Sequence, residues 1–371
     1  MKRSVLRIIS GLLLVLIIFT LLLESGRFVI QDIVWDSFYT TEKNTVDVGL
    51  IGSSGIMRYF QEAQAYGERG FTSCVLASSS LPAKMLPTLM DEFMRRQNPE
   101  LLVVDIRTAV FDDEEPTEND QNNKPDAAYL PIKNLISLMD PFSPYRWRSI
   151  FKYAKGVSLS NFIESCFPLL NYPSLVYMDK EKLKDRHIDY EWDNYYGFAV
   201  HTSTTDYTEL GERQKQLKND GIIHLDAEKK AVIDELYRKA DEYSKPVIFI
   251  ITPYLRDDAM YTSQEEVRAY MEEKGYAFLD CQDHFDEIGL NYSSDFYDKR
   301  HVNVIGAHKF TAWFAEYLDG HFSLQKDHSE STKEKWDALA AEWDSIYPEC
   351  RQRAESEVYT IDPKTEELIL K

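Results

Sequence analysis

Five short apolar runs recur along the chain, and each is continuous instead of alternating with polar residues. They are Val46–Ile51, Ser73–Ala77, Leu101–Ile106, Val247–Thr252 and Ala277–Leu279. Continuous runs of this length are typical of strands buried on both faces, as in a parallel sheet. Helical patterns separate them, at Pro82–Gln97, Ala227–Tyr243 and Gln264–Lys274. This order predicts an α/β fold with a doubly wound, five-stranded parallel sheet, whose ligands bind beyond the carboxyl ends of the strands.

The regular pattern stops between the third and fourth strands. Phe111–Lys124 is acidic and polar, and the residues after it are rich in aromatic side chains. We therefore predict a large insertion at about residues 111–226, above the carboxyl edge of the sheet. Its aromatics either form packing contacts or provide a stacking platform for sugar rings. We expect some of them to line the cleft at that edge, the candidates being Trp147, Trp192, Tyr195 and Tyr196.

The amino terminus has a different character. Lys2, Arg3 and Arg7 precede a charge-free, mostly apolar run over Ile8–Leu23, which together with its flanking residues is about long enough to span a bilayer as a helix. The basic residues before the run predict a cytoplasmic amino terminus, so that the rest of the chain lies outside the cell membrane. A cleaved signal peptide is the alternative, but no small-x-small cleavage site follows the run. We therefore predict that residues 1–26 are a retained, single-pass membrane anchor.

The remaining segments complete the predicted domain plan. Residues 27–45 are expected to form a polar linker dotted with aromatics, and residues 27–325 to contain the α/β domain with its insertion. Residues 326–371 are charged and amphipathic, which predicts a peripheral helical tail.

Composition narrows the range of functions. The net charge of −20 predicts an acidic surface that repels nucleic acid, so we expect no nucleic-acid partner. The four cysteines, Cys74, Cys166, Cys281 and Cys350, lack the spacing of a zinc or redox motif, and we expect buried thiols rather than a disulfide. The histidines lack metal-ligand spacing and no Gly-rich nucleotide motif occurs, so neither a metal nor a cofactor is predicted.

A candidate nucleophile follows the first strand. That strand ends in Gly52-Ser53-Ser54-Gly55, directly before a helix expected to begin near Ile56. Gly52 permits a sharp turn, and a serine there presents its hydroxyl at the rim of the sheet, beside the N–H groups of a helix N-terminus. Such N–H groups can stabilise a developing oxyanion. From this segment alone, a capped turn or a phosphate-binding loop remains open.

A candidate general base precedes the last helix of the domain. Asp298 lies three residues before His301, and a helix from about Val304 to Leu318 follows, with Asn303 as its candidate cap. The carboxylate can fix the tautomer of His301 and stabilise its imidazolium, while the other ring nitrogen faces a nucleophile. The alternative is an incidental Asp-x-x-His on a surface loop.

Together, the two motifs resemble those of the SGNH/GDSL superfamily of esterases and acyltransferases, whose fold is a flavodoxin-like, three-layer α/β/α domain. The chain is similar to the branch in which Gly-Asp-Ser is replaced by Gly-Ser-Ser and the closing motif reads Asp-Phe-Tyr-Asp-x-x-His-x-Asn. In outline it resembles extracytoplasmic proteins that move acyl or D-alanyl groups onto cell-surface polymers. The resemblance covers roughly residues 46–110 and 245–320. It implies a triad of Ser54, Asp298 and His301, in which the serine forms an acyl-enzyme that water or an acceptor hydroxyl resolves.

The resemblance also implies an oxyanion hole, and here the chain departs from the family. Besides Ser54, the candidates are Ala77 or Ser78, which stand where the family has a glycine, and either can donate a backbone N–H. After the third strand the family has an asparagine, whereas this chain has Asp105-Ile106-Arg107. Arg107 either supplies positive charge in place of the asparagine or pairs with Asp105.

Three functional hypotheses follow. The leading one is a serine-dependent esterase or O-acyltransferase that acts on a cell-envelope polysaccharide or acylated polymer. The second is a catalytically silent surface protein of the same fold that binds a glycan or a partner protein. The third is a flavodoxin-like module that holds a phosphate at Gly52–Gly55, and it gives Asp298 and His301 no use.

Overall fold

The computed structural model describes residues 2–25, 32–110, 125–167, 197–214, 225–255, 264–361 and 368–370. The chain divides into two units. The insertion unit consists of Met1–Asp32 and Pro116–Asp189, and the sheet unit consists of Ile33–Glu115 and Tyr190–Lys371. Both sequence motifs belong to the sheet unit.

The described strands include all five that the apolar runs predict. They are β1 (Val48–Ser53), β2 (Ser73–Ser78), β3 (Leu101–Asp105), β4 (Thr204–Asp206), β5 (Val247–Ile251), β6 (Phe278–Asp280), β7 (Val358–Ile361) and β8 (Leu368–Leu370). Five of them form an all-parallel sheet in the order β2-β1-β3-β5-β6, which confirms the predicted fold class. The strand order reverses direction between β1 and β3, and doubly wound sheets bind ligands at such a switch point.

The described residues also form helices in both units. They are α1 (Lys2–Ser25), α2 (Ile33–Thr40), α3 (Ser54–Tyr59), α4 (Glu62–Arg69), α5 (Leu86–Arg96), α6 (Arg107–Val110), α7 (Pro125–Leu138), α8 (Pro144–Tyr153), α9 (Leu159–Cys166), α10 (Thr208–Gln214), α11 (Ala227–Glu242), α12 (Gln264–Lys274), α13 (Phe285–Ile288), α14 (Val304–His321) and α15 (Glu330–Ser356). In the sheet unit, α4 packs against α14 and α15, and α5 packs against α11. These helices flank the sheet in a three-layer α/β/α arrangement.

None of the helices within the described ranges combines the length and the apolar character needed to cross a membrane.

The prediction of a linker over residues 27–45 is wrong for the central part of that segment. Residues Ile33–Thr40 form α2, and Trp35 and Phe38 of this helix are buried. Phe38 stacks on Phe93 of α5, with the ring centroids 5.4 Å apart. The helix is part of the sheet unit because its aromatic side chains, which we interpreted as scattered, share one face.

The carboxyl-terminal segment forms the predicted helix, and it also forms strands that were not predicted. After α15, β7 pairs in parallel with β4 and antiparallel with β8, giving a second, three-stranded sheet. Thr204 of β4 lies opposite Val358 of β7, and its hydroxyl donates to the carbonyl of Ala354 at 2.7 Å. The tail therefore fixes the position of β4.

The insertion unit is held together by polar contacts between its helices. Arg146 of α8 donates to the carbonyl of Ser165 at 2.9 Å, and the hydroxyl of Tyr129 in α7 donates to the Ser165 side chain at 3.0 Å. The Trp147 indole donates to the carbonyl of Pro141 at 2.9 Å, a contact within the unit. Trp192, Tyr195, Tyr196 and the loop predicted at Phe111–Lys124 lie outside the described residues, so the expected aromatic lining of a cleft stays a prediction.

All four cysteines are buried as free thiols.

Candidate active site

Ser54 lies at the carboxyl edge of the sheet because β1 stays apolar up to its last residues and then turns into α3. Ser53 keeps an extended backbone (φ −105°, ψ −159°), and Ser54 is the first residue of the helix. Gly55, Ile56, Met57 and Tyr59 of α3 are buried. Ser54 is half-buried, so its hydroxyl borders the space beyond the edge of the sheet.

The structure brings the three residues of the predicted triad into hydrogen-bond contact. The Oγ of Ser54 lies 2.8 Å from Nε2 of His301. On the other side of the ring, Nδ1 of His301 lies 2.9 Å from Oδ2 and 3.0 Å from Oδ1 of Asp298. An ionised carboxylate only accepts hydrogen bonds, so Nδ1 carries the proton of a neutral His301. That tautomer leaves Nε2 free to accept the proton of the Ser54 hydroxyl.

The electrostatics of this chain favour a neutral imidazole next to an ionised carboxylate. Burial lowers the pKa of His301, and the positive charges of Arg107 and Arg58 act in the same direction, against the opposing hydrogen bond and charge of Asp298. Burial acts to raise the pKa of Asp298, but the hydrogen bond and charge of His301, with two backbone N–H donors, hold it below its usual value. A neutral histidine is the form that can accept a proton.

The loop that carries Asp298 and His301 is fixed at both ends. Asp298 Oδ1 accepts from the backbone N–H groups of Arg300 and His301, at 2.7 and 2.8 Å. Asn303 caps α14 as predicted, accepting from the N–H groups of Ile305 and Gly306 at 3.0 and 3.2 Å. Its amide also donates to the Thr204 hydroxyl at 2.8 Å. The loop is thereby joined to β4, which the sequence did not predict.

The buried carboxyl group of Asp105 lies directly beneath the turn after β1. Asp105, at the end of β3, accepts from the Thr252 hydroxyl at 3.0 Å and from the backbone N–H of Arg107 at 2.9 Å. A methyl group in place of the Gly55 hydrogen would lie 2.4 Å from Asp105 Oδ2 and 2.7 Å from Thr252 Oγ1. Glycine is required at position 55 because the helix start approaches this group so closely.

Arg107 contacts the loop that carries His301, and its positive charge also influences the protonation of His301. Arg107 is only 3% exposed, and its guanidinium donates to the backbone carbonyl of Arg300 at 2.7 Å. Burial raises the pKa of Asp105, whereas the charge of Arg107 and the surrounding hydrogen bonds oppose that rise. The charge of Arg107 acts on both Asp105 and His301, whereas its role in place of the family's asparagine stays a prediction.

The two candidate oxyanion donors on β2 differ in position. Ala77 is fully buried inside the strand, opposite Gly52. Ser78 ends the strand opposite Ser53 and is half-buried. Ser78 is therefore the one of the two that lies at the carboxyl edge, next to the turn that presents Ser54.

Sequence reasoning missed two groups near the site. Arg58 lies one turn after Ser54 on α3, with its guanidinium 5.2 Å from the centre of the Tyr297 ring. His201 stacks on the same tyrosine, with ring centroids 3.6 Å apart. The spacing of Ser54 and Arg58 was a usable signal, because residues four apart share one face of a helix. Nothing in the sequence relates His201 to Tyr297.

Among the residues that the structure describes, no group of three His, Cys, Asp or Glu side chains could hold a metal ion. Comparison with known protein families and with curated proteins finds no match for this chain.

Proposed function

We propose that this protein is a serine-dependent esterase or O-acyltransferase with Ser54 as nucleophile, His301 as general base and Asp298 as the carboxylate that orients the base. The observation that supports the proposal best is the continuous hydrogen-bonded chain from Ser54 through His301 to Asp298. It lies at the carboxyl edge of the sheet, beside the switch point where such folds bind ligands.

The proposed reaction uses the proton positions described above. Nε2 of His301 removes the Ser54 proton as the oxygen attacks the ester carbonyl, and Asp298 stabilises the imidazolium. The tetrahedral oxyanion takes hydrogen bonds from backbone N–H groups at the edge, with Ser54 and Ser78 as the candidate donors. His301 then protonates the leaving alcohol and leaves an acyl-enzyme. Water gives hydrolysis, and an acceptor hydroxyl gives acyl transfer.

The biological substrate and location are proposed on the resemblance alone. A cell-envelope polysaccharide or other acylated polymer is the substrate class that the resemblance implies. The anchor over residues 1–26 and the extracytoplasmic position of the domain stay predictions. The chemistry of the triad does not depend on them.

Active-site labelling tests the proposal. The full chain in detergent should be labelled at Ser54 by a neutral fluorophosphonate, because such probes react only with a serine whose proton is removed by a base. Peptide mass spectrometry locates the label. Ser54→Ala and His301→Ala should abolish labelling, whereas Ser53→Ala should keep most of it, since the Ser53 side chain makes no capping hydrogen bond.

A folded wild-type protein that takes no label would reject the enzyme hypothesis. The catalytically silent binding protein would then be the better explanation.

A further inference from the structure

The accessible face of α3 carries only two of its side chains. Ser54 and Arg58 are half-buried, whereas the other residues of the helix are buried. Residues four apart on a helix have Cβ atoms on the order of 6 Å apart. A group bound to Arg58 would therefore lie next to an ester whose carbonyl is attacked by Ser54.

Arg58 is a cation without a carboxylate partner in the part of the chain that the structure describes. Its guanidinium donates to the backbone carbonyl of Ala199 at a long 3.3 Å and lies 5.2 Å from the centre of the Tyr297 ring. Neither contact neutralises its charge. By contrast Arg69, at the end of α4, pairs with Glu316 at 2.6 Å.

The second guanidinium near the site is differently placed. Arg107 is only 3% exposed, and its charge acts on buried Asp105. Arg58, by contrast, is accessible, lies beside the candidate nucleophile and has no carboxylate opposite it in the described residues. The site therefore differs in charge from the chain as a whole, whose net charge is −20. Guanidinium groups bind carboxylates and phosphates through paired N–H donors.

We propose that Arg58 is a specificity-determining residue that binds an anionic group of the substrate, a carboxylate or a phosphate, next to the ester carbonyl. This inference rests on the proposed function and adds the charge of the substrate. A neutral ester fills the same place without an ionic contact.

Two activated esters of matched length test the charge preference. The wild type should favour mono-p-nitrophenyl glutarate over p-nitrophenyl pentanoate in kcat/KM by about tenfold or more, since an accessible charge-assisted hydrogen bond contributes roughly that factor. Arg58→Gln should bring this ratio close to one, and Arg58→Lys should keep part of it. High salt should reduce the wild-type ratio, because it screens exposed charges.

Arg69→Gln is the matched control, because it removes the same charge from α4 and should leave the ratio unchanged. A wild-type ratio near one, or a ratio that Arg58→Gln does not change, would overturn the proposal.

Direct binding separates this inference from the proposed function and identifies the anion. Calorimetric titration of Ser54→Ala protein with inorganic phosphate and with glutarate needs no catalysis. Adding Arg58→Gln should weaken the binding about tenfold, which would support the site. The anion that binds more tightly is the one that the site prefers. If neither anion binds, the site is refuted. If only the labelling of Ser54 fails, the proposed function alone is refuted.

Discussion

The proton affinity of His301 decides whether Ser54 can react at a given pH. Burial is the largest cause that favours the neutral ring of His301, and the charges of Arg107 and Arg58 act in the same direction. Asp298 opposes them, but the pKa of His301 still falls below its usual value of 6.5. A general base must be neutral to act. His301 therefore stays neutral, and able to accept a proton, in mildly acidic solution as well as at neutral pH.

The pH dependence of kcat/KM for p-nitrophenyl pentanoate follows from this balance. Activity should fall only as pH drops through a value below 6.5, where His301 becomes protonated. Arg58→Gln removes one of the charges that disfavour the imidazolium, so the pKa should rise and the acid limb should move to higher pH. Arg69→Gln should leave the limb in place. A downward shift in Arg58→Gln would contradict the assigned electrostatics.

The sequence identified the residues that form a motif but not those that support them. Ser54, Asp298 and His301 occur at fixed distances from a strand end and a helix start, and the structure places the three side chains in contact. Thr252 was taken only as the last residue of a strand. Its contact with Asp105 depends on the pairing of β3 with β5, which spacing along the chain does not reveal.

Among the elements, the junction between the His301 loop, β4 and α14 depends on one side chain. Asn303 is fully buried and uses its carbonyl oxygen to cap α14 and its amide to bind Thr204 and Ser294. A helix cap alone contributes about 1 kcal/mol to stability. Asn303 also fixes the position of the loop, so its loss should affect both stability and the site.

Asn303→Ala should lower the free energy of unfolding by roughly 2 kcal/mol, because a cap and a buried amide partner are both lost. It should also slow fluorophosphonate labelling of Ser54, because His301 lies two residues before the cap. Asp226→Ala is the matched control. Asp226 caps α11 by accepting from Lys229 at 2.8 Å and has no part in the site, so only stability should fall. Unchanged labelling in Asn303→Ala would contradict the positioning role.

The predictability of an element depended on how its residues are buried. The strands of the parallel sheet were predicted because both of their faces are covered, which requires continuous apolar runs. β4 and β7 escaped prediction because they are short, are not continuous apolar runs, and pair with each other across a long stretch of the chain. α2 escaped because its eight residues form only about two helical turns, which is too short a stretch to establish a helical period against the polar residues around it.

For the molecule as a whole, the net charge of −20 means that self-repulsion increases as carboxyl groups ionise. One carboxyl group adds a specific effect. Glu62 of α4 is fully buried against β2, the edge strand of the main sheet, and accepts from the backbone N–H of Val75 at 3.1 Å. Its other oxygen has no hydrogen-bond partner in the described structure. Burial raises the pKa of Glu62 from 4.5 to about 8.

The direction of the effect on stability follows from proton binding. Between pH 4.5 and about pH 8, the folded chain keeps the Glu62 proton that the unfolded chain has released. The free energy of unfolding therefore decreases as the pH rises through this range. The slope from one such group is at most ~1.4 kcal/mol per pH unit. Glu62→Gln can still accept the hydrogen bond from Val75 but does not titrate, so this contribution should vanish.

Urea unfolding at several pH values tests this. Relative to wild type, Glu62→Gln should gain stability steadily from about pH 5 to about pH 8, by more than ~1 kcal/mol over the range. Glu316→Gln removes an equal charge from an exposed pair with Arg69 and should show no such trend. If the two variants had the same pH dependence, general repulsion would explain the whole effect. A trend confined to Glu62→Gln would instead identify the covered edge of β2 as the place where the fold retains a proton at neutral pH.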